Sequence, residues 1–371
     1  QSTSRADLVR ATKLSKPTVS SVIEGLEKAG VVRMTQAGAP VSDIGRPAVL
    51  YELVPESAFV LGVDLGGTKI IVGIADLLGN VVAETMLETP PDAKQALAAI
   101  AEATEKLRRG LPSKVRRIRA ACVGVPGIYR AEADSVEASM TLGGFAGLGV
   151  SKDLGKRLGL TVHVENDVNL AAIAEVSQGR AKGVQDFVAI SIGTGIGMGL
   201  VSDGKLYRGA QSAAGEIGSL RPFGQRDGGL TVEEFASAAA IRKALRRAIE
   251  RKISSTVSPM ADVPKIIDGY AAGDPAAVAA IDPAVEAVAA SIHSVAMLLD
   301  PSLIILGGGV GANAIFADAV ARRLAATAEH MPPLMASTLG RRAAFLGAVA
   351  VALEDARQAL VGQRILGAPA A

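Results

Sequence analysis

The stretch from Leu61 to Lys69, LGVDLGGTK, constrains this chain more than any other. Val60, Leu61 and Val63 read as a buried strand, Asp64 stands near its end, and Gly66–Gly67 make a tight turn where backbone can approach a ligand. Thr68 and Lys69 lead into a second apolar run, Ile70 to Ala75. Strand, glycine turn, strand is a hairpin, whereas a Rossmann or Walker site would place a helix after the glycines. Such a turn can offer N–H groups and a hydroxyl to a phosphate, with Asp64 holding Mg²⁺ through water. It can equally be an ordinary glycine-rich hairpin.

A second device of the same kind follows. Phe187 to Ile192 reads as a strand, then Gly193-Thr194-Gly195 turns into the apolar run Ile196 to Val201. Each hairpin ends in a polar turn, Asp76 to Asn80 in one case and Ser202 to Lys205 in the other. The repeat predicts two homologous lobes gripping one nucleotide. Between the hairpins, helices are predicted over 93–109 and Val150–Leu158, and strands over Arg117–Val125 and Thr161–Val164. That alternation is α/β. Glu165-Asn166-Asp167-Val168-Asn169 then opens a helix over Leu170–Gln178. Asp167 there can serve as a general base toward a substrate hydroxyl, or Asn166 or Asp167 can simply cap the helix. Glu216, between Gly215 and Gly218, can face a cavity, whereas Glu233 and Glu234 suit the dipole of a helix start. Helices are expected over 236–252, 280–299 and 343–361. Leu303 to Leu306 reads as a buried strand ending in Gly307-Gly308-Gly309, a third glycine turn that suits an adenosine or ribose.

The front of the chain has a different pattern. Ser4 caps a short helix over residues 4–12, Lys13-Leu14 turns, and Ser15 caps a second helix with Pro17 in its first turn. Val19, Val22, Ile23 and Leu26 fall on one face at helical spacing, and Gly30 stops the helix. Two short helices and a tight turn form a helix-turn-helix. Ser15, Lys16, Thr18, Ser20 and Ser21 are then placed to meet bases and phosphates in a major groove. Strands at Val31–Met34 and Ala48–Leu53 flank a loop, Thr35 to Arg46, as a wing, with Arg46 near its tip. The alternative is a small helical bundle with a solvated arginine. Lys13 occupies a turn position where glycine is common.

Composition narrows the function. The net charge is +2, so nucleic-acid binding must be local and cannot follow from overall charge. The single cysteine, Cys122, lies in an apolar run, which excludes an intrachain disulfide and a cysteine-rich zinc site and suits a buried thiol. Hydrophobic residues make up 49% and aromatics 3%, so the core is large and aliphatic. No unbroken apolar run of membrane length and no signal-like h-region is visible, and the expectation is a cytoplasmic protein without a membrane partner. Gln1 suggests that the sequence begins within a longer chain.

Together the motifs resemble the ROK family of repressors, open reading frames and sugar kinases. DLGGTK at 64–69, PG at 126–127, ENDVN at 165–169, GTGIG at 193–197, GEIG at 215–218 and LGGG at 306–309 occur in that family's order. A helix-turn-helix and Gly45-Arg46-Pro47 in front resemble its repressor branch. The resemblance implies an actin-like, ribonuclease-H-like α/β fold, two lobes around a cleft, preceded by a winged helix-turn-helix. Residues 1–54 would form the DNA-binding domain. Residues 55–165 with the helix near 343–361 would form the small lobe, and 166–342 the large one. Asp167 matches the catalytic base of the kinases, Asn166 and Glu216 match sugar-hydroxyl ligands, and Glu233 matches the glutamate after the family's zinc segment, taken here as a further sugar contact. Gly66, Gly67, Thr68, Gly193, Thr194 and Gly195 match the phosphate turns, with Asp64, Lys69, Gly307 and Gly308 beside them on the nucleotide side.

The departures are informative. Ser219 stands where the kinases carry a histidine, Thr141 where they carry a sugar-contacting asparagine, and Arg221–Thr231 holds no cysteine, so no structural zinc is expected. The expectation is a sugar-responsive regulator, most simply a repressor, acting as a homodimer or dimer of dimers on a palindromic DNA operator. It would need no cofactor, metal or enzyme activity. The alternatives are an ATP- and Mg²⁺-dependent sugar kinase, or a regulator that binds nucleotide without turnover.

Overall fold

The computed structural model describes residues 2–35, 49–112, 118–137, 142–222, 229–326 and 331–365. Arg46 and Thr141, both nominated above, lie outside the described residues.

The front segment comprises β1 (Thr3–Ser4), α1 (Arg5–Thr12), α2 (Lys16–Lys28), β2 (Val32–Thr35) and β3 (Leu50–Leu53). Ser4 caps α1 in a reciprocal box with Asp7, and Lys13 closes that helix in the left-handed region at φ 57°. Lysine therefore adopts the backbone that glycine more often supplies. Ser15 caps α2 through Thr18 N at 3.2 Å. Val19 and Ile23 bury against Tyr51, Leu8 and Val9. The strands pair antiparallel in the order β1-β3-β2, so the expected two-stranded wing gains a third short strand.

The first lobe follows a short 3₁₀ turn at Pro55–Ser57. It contains β4 (Phe59–Leu65), β5 (Lys69–Asp76), β6 (Val81–Glu88), α3 (Ala93–Gly110), β7 (Ile118–Val125), the small hairpin β8 (Ile128–Arg130) and β9 (Ser135–Glu137), α4 (Val150–Leu158) and β10 (Val162–Asn166). Its sheet runs β10-β7-β4-β5-β6, antiparallel across β4-β5-β6 and parallel across β4, β7 and β10.

The second lobe opens with α5 (Asp167–Ser177) and continues through β11 (Phe187–Ile192), β12 (Ile196–Ser202), β13 (Lys205–Tyr207), α6 (Val232–Ala236), α7 (Ala238–Glu250), α8 (Val263–Ala271) and α9 (Pro275–Leu299). It ends with β14 (Leu303–Gly307), α10 (Gly308–Gly311), α11 (Ala314–Ala325) and β15 (Leu334–Ala336). Its sheet order is β13-β12-β11-β14-β15, again an antiparallel meander followed by two parallel strands. The two glycine hairpins thus occupy the same place in two sheets of the same topology.

Several boundaries differ from the sequence expectation. The helix expected from Leu170 begins at Asp167, because Asn166 caps it by accepting from Val168 N and Asn169 N. The helix expected over 236–252 is α7, which begins at Ala238 because the Ser237 hydroxyl caps it, and the helix that Glu233 and Glu234 open is the separate short α6. The 280–299 helix starts earlier, at Asp274-Pro275, and carries Pro283 within it. This α9 is long and apolar enough, by length and composition, to cross a membrane, but most of its apolar stretch is buried and it forms the centre of the second lobe's core.

The closing helix α12 (Ala343–Ile365) lies between the first sheet and α5. Phe345, Val349, Ala352 and Leu353 pack with Val60, Ile71 and Ala75 of the sheet, and with Leu170 of α5.

Candidate functional site

The parallel strands of both sheets end at one cleft of about 590 Å³ between the lobes. From the first lobe, Asp64, Gly66, Gly67, Thr68 and Lys69 line it. The β4–β5 turn closes through Gly66 N donating to Lys69 O at 3.0 Å, and Thr89 Oγ1 holds it by donating to Gly66 O at 2.7 Å. Opposite, Gly193, Thr194 and Gly195 form the β11–β12 turn, closed by Gly193 N to Gly195 O at 3.0 Å. Gly307 and Gly308 enter beside it, where a Cβ on Gly308 (φ +76°) would stand 2.3 Å from Ile192 O. All three glycine segments read from the sequence are brought to one cleft. Thr68 and Thr194 expose their side chains into it.

The other wall is acidic. Asn166 and Asp167 sit where β10 passes into α5. Asn166 Oδ1 is committed to the helix cap, and its Nδ2 donates to Gly127 O at 3.0 Å, leaving one amide hydrogen for a ligand. Glu216 and Glu233 also line the cleft. Helix-start preference treats Glu233 and Glu234 alike, whereas the family resemblance singles out Glu233, and the structure separates the two. Glu234 closes a capping box with Thr231, whereas Glu233 reaches across to accept from Ile196 N at 2.9 Å. Glycine at 195 and 218 makes room for it, since a Cβ there would come within 3.1 and 3.3 Å of Glu233 Oε2. Ser219 closes the 3₁₀ turn Ile217–Ser219 and is not among the residues lining the cleft.

These carboxylates act on one another. Burial first, and then the Asp167 charge, push Asp64 up to about 7. Burial likewise raises Asp167 to about 6, with Glu216 adding to it and the hydrogen bond from Val168 N opposing. Glu216 is raised by burial and by Glu233. A general base poised near neutrality, a helix start and two N–H-rich turns can together orient a hydroxyl and a phosphate. Among the described residues no cluster of three or more metal-ligating side chains occurs.

Some site residues carried no local signal. Arg341, next to Gly340 (φ +59°), lines the cleft from the segment before α12. Glu175, buried on α5, accepts from Ser337 Oγ and from Arg180 N at 2.8 Å, which ties that segment to α5. Glu165, buried at the end of β10, accepts from Arg208 Nε at 2.6 Å.

A model of the ROK family matches residues 60–355, which include both sheets and the cleft. The chain belongs to the ROK family. This ROK chain is 26% identical over 316 residues to the xylose repressor of Caldicellulosiruptor bescii, covering 82% of this chain and 78% of that one. A solved ROK family transcriptional regulator, a homologue of the E. coli MLC protein, shares its fold with a TM-score of 0.83 at 24% identity, over 99% of this chain and 95% of that one. The ROK family glucokinase of Streptomyces griseus, solved with glucose and AMPPNP, gives a TM-score of 0.69 at 27% identity, over 80% of this chain and all (100%) of the other. The actin-like two-lobed fold is therefore that of both regulators and kinases.

Proposed function

We propose that this ROK chain is a sugar-responsive DNA-binding transcription regulator, acting as a repressor in the cytoplasm. The observation that carries the reading is a shared apolar core. Val31, just after α2, is buried in the same cluster as Ala352, Leu353, Ala356 and Leu360 of α12, with Leu26, Ala29 and Leu53 packed against it. The first residues of α12, Ala343 and Ala344, line the cleft. One continuous helix therefore runs from the ligand cleft to the helix-turn-helix. A sugar that binds the closed lobes more tightly than the open ones would bias the DNA-binding segment through this helix. The repressor function of the C. bescii relative supports the same reading. Lys16, Thr18 and Ser21 are exposed at the start of α2, and Ser20 is half-buried. A homodimer would place two such helices on a palindromic operator.

A kinase reading is favoured by one feature: Asp167, raised to about 6, shares a cleft with two phosphate-type turns. The donor set fits a nucleoside triphosphate with Mg²⁺, which takes one or two carboxylates plus phosphates and needs no protein cage. Asp64 would hold the metal through water, and Asp167 would accept the sugar hydroxyl proton.

The test uses operator DNA selected from a random pool. Binding is followed by fluorescence anisotropy with a panel of neutral pentoses and hexoses, with and without Mg-ATP, and ADP release is assayed in parallel. A sugar that alone changes operator affinity, with no ADP formed, supports the regulator. Sugar-dependent ADP release with no selected operator overturns it.

A further inference from the structure

Glu165 does more than extend a strand. It is the penultimate residue of β10 in the first lobe, 5% exposed, and its two oxygens serve three donors. Oε1 accepts from Asn166 N and from Asn169 Nδ2, both at 2.9 Å, so it holds the residues on either side of Asp167. Oε2 accepts from Arg208 Nε at 2.6 Å. Arg208 belongs to the second lobe, directly after β13. It begins a strap, residues 208–216, that ends at Glu216. The strap is backbone-constrained: Gly209, Ser212 and Gly215 all have left-handed φ, at +74°, +53° and +93°. A Cβ on Gly215 would fall 1.8 Å from Met198 O, so that position accepts only glycine. The first lobe grips the strap a second time, where the Arg130 guanidinium donates to Gln211 O. Ser212, Ala214, Gly215 and Glu216 then line the cleft.

We propose that Arg208 and Glu165 are a positioning pair that couples the two acidic walls of the cleft, ordering the Glu216 strap and the Asp167 helix start as one unit. This rests on the cleft's being the effector site. The physical basis is desolvation. A buried carboxylate that loses its partner must regain solvent or another donor. Glu165 can do so only by moving, and it is also bonded to Asn166 and Asn169. Displacement of the strap is thereby passed to the first turn of α5, and a ligand that fixes Glu216 also fixes Asp167.

The experiment is amide hydrogen exchange on the full chain, without sugar or DNA, for the wild type, Arg208→Met, Arg208→Lys and the double variant Glu165→Gln with Arg208→Met. Exchange is expected to rise roughly tenfold in both 209–216 and 166–170 in Arg208→Met, with α9 and α11 unchanged. Arg208→Lys should recover part of the protection in both segments. The double variant leaves no unpaired buried charge but still lacks the tie from the strap to β10, so it should loosen both segments, less than Arg208→Met does, and it decides the matter if Arg208→Met does not fold. Faster exchange in 209–216 alone would overturn the proposal, as would a uniform rise through α9. Because the readout needs neither ligand nor operator, the pair stands or falls separately from the regulator reading, which the sugar and operator assay tests.

Discussion

Gly62 on β4 and Gly73 on β5 lie directly opposite each other in the antiparallel register, and α12 packs into the gap they leave. A Cβ on Gly62 would stand 2.6 Å from Val349 Cγ2 and 3.1 Å from Val349 N. One on Gly73 would stand 2.5 Å from the Phe345 ring. The paired glycines let helix and sheet approach at near-backbone distance. Gly62→Ala should therefore push α12 off the sheet and cost about 1–3 kcal/mol, the usual penalty for overpacking. Thermal denaturation checks this, with Gly25→Ala, which meets nothing within 4 Å, as the control. That control should be neutral or stabilising, since alanine favours a helix over glycine.

Asp64 makes a pH prediction. Its folded-state pKa, about 7, lies above its ordinary value of 3.8. Between those values the folded chain binds more protons than the unfolded one, so stability falls as pH rises through the window. The ionised form is the disfavoured one. Asp64→Asn should thus raise the melting temperature at pH 8, by roughly 2 kcal/mol of stability after allowing for the titration it shares with Asp167. The gain should shrink toward pH 4. Melting curves of the variant and wild type across pH 4 to 8 provide the check, and a constant difference would contradict the assignment.

What was legible in the sequence was local. Both glycine hairpins, the capped α2 and the β10–α5 junction announce themselves through turn residues, caps and periodicity within a few positions. What was not legible joins distant segments. Glu165 meets Arg208 across 43 positions, and Glu233 meets Ile196 N across 37. Helix-start preference alone treats Glu233 and Glu234 alike, and only the fold sends one of them inward. The two residues of β1 carry no strand signal apart from their pairing with Leu50 and Tyr51. The closing helix was visible but its role was not, because it is covered by the sheet on one side and by α5 on another. Leu170 O lies 1.9 Å from where a Cβ on Gly347 would be, a crossing no periodicity reports.

The residues proposed to face DNA separate into two kinds. Ser15 is spent on its helix: Oγ accepts from Thr18 N at 3.2 Å and lies 2.7 Å from Thr18 Oγ1. Ser15→Ala should lower stability by about 1 kcal/mol, as loss of an N-cap does. Lys16 is exposed and forms no ion pair among the described residues. Lys16→Ala should leave the melting temperature unchanged, weaken operator binding on all sequences alike and reduce the salt slope by about one. Anisotropy titrations at several salt concentrations distinguish the two variants. Equal loss of stability in both would mean that Lys16 is structural.

Transmission from the cleft to the DNA-binding segment should fail at Val31 before DNA binding itself fails. Val31 is 6% exposed and joins Leu360 and Leu353 of α12 in one cluster, whereas Val19 and Ile23 hold α1 and α2 together in a separate one. Val31→Ala removes apolar contact at the junction and should cost about 1–2 kcal/mol there. Helix α2 keeps its own core, so on the regulator reading operator affinity without sugar should change little. The sugar-dependent change in that affinity should shrink, because the coupling energy depends on a packed path between the two sites. Ile23→Ala is the contrast: it damages the helix-turn-helix core and should reduce operator binding with or without sugar. Both variants are measured as operator affinity with and without the effector sugar. If Val31→Ala weakens operator binding while leaving its fractional response to sugar intact, α12 is a support for the front segment and carries no signal to it.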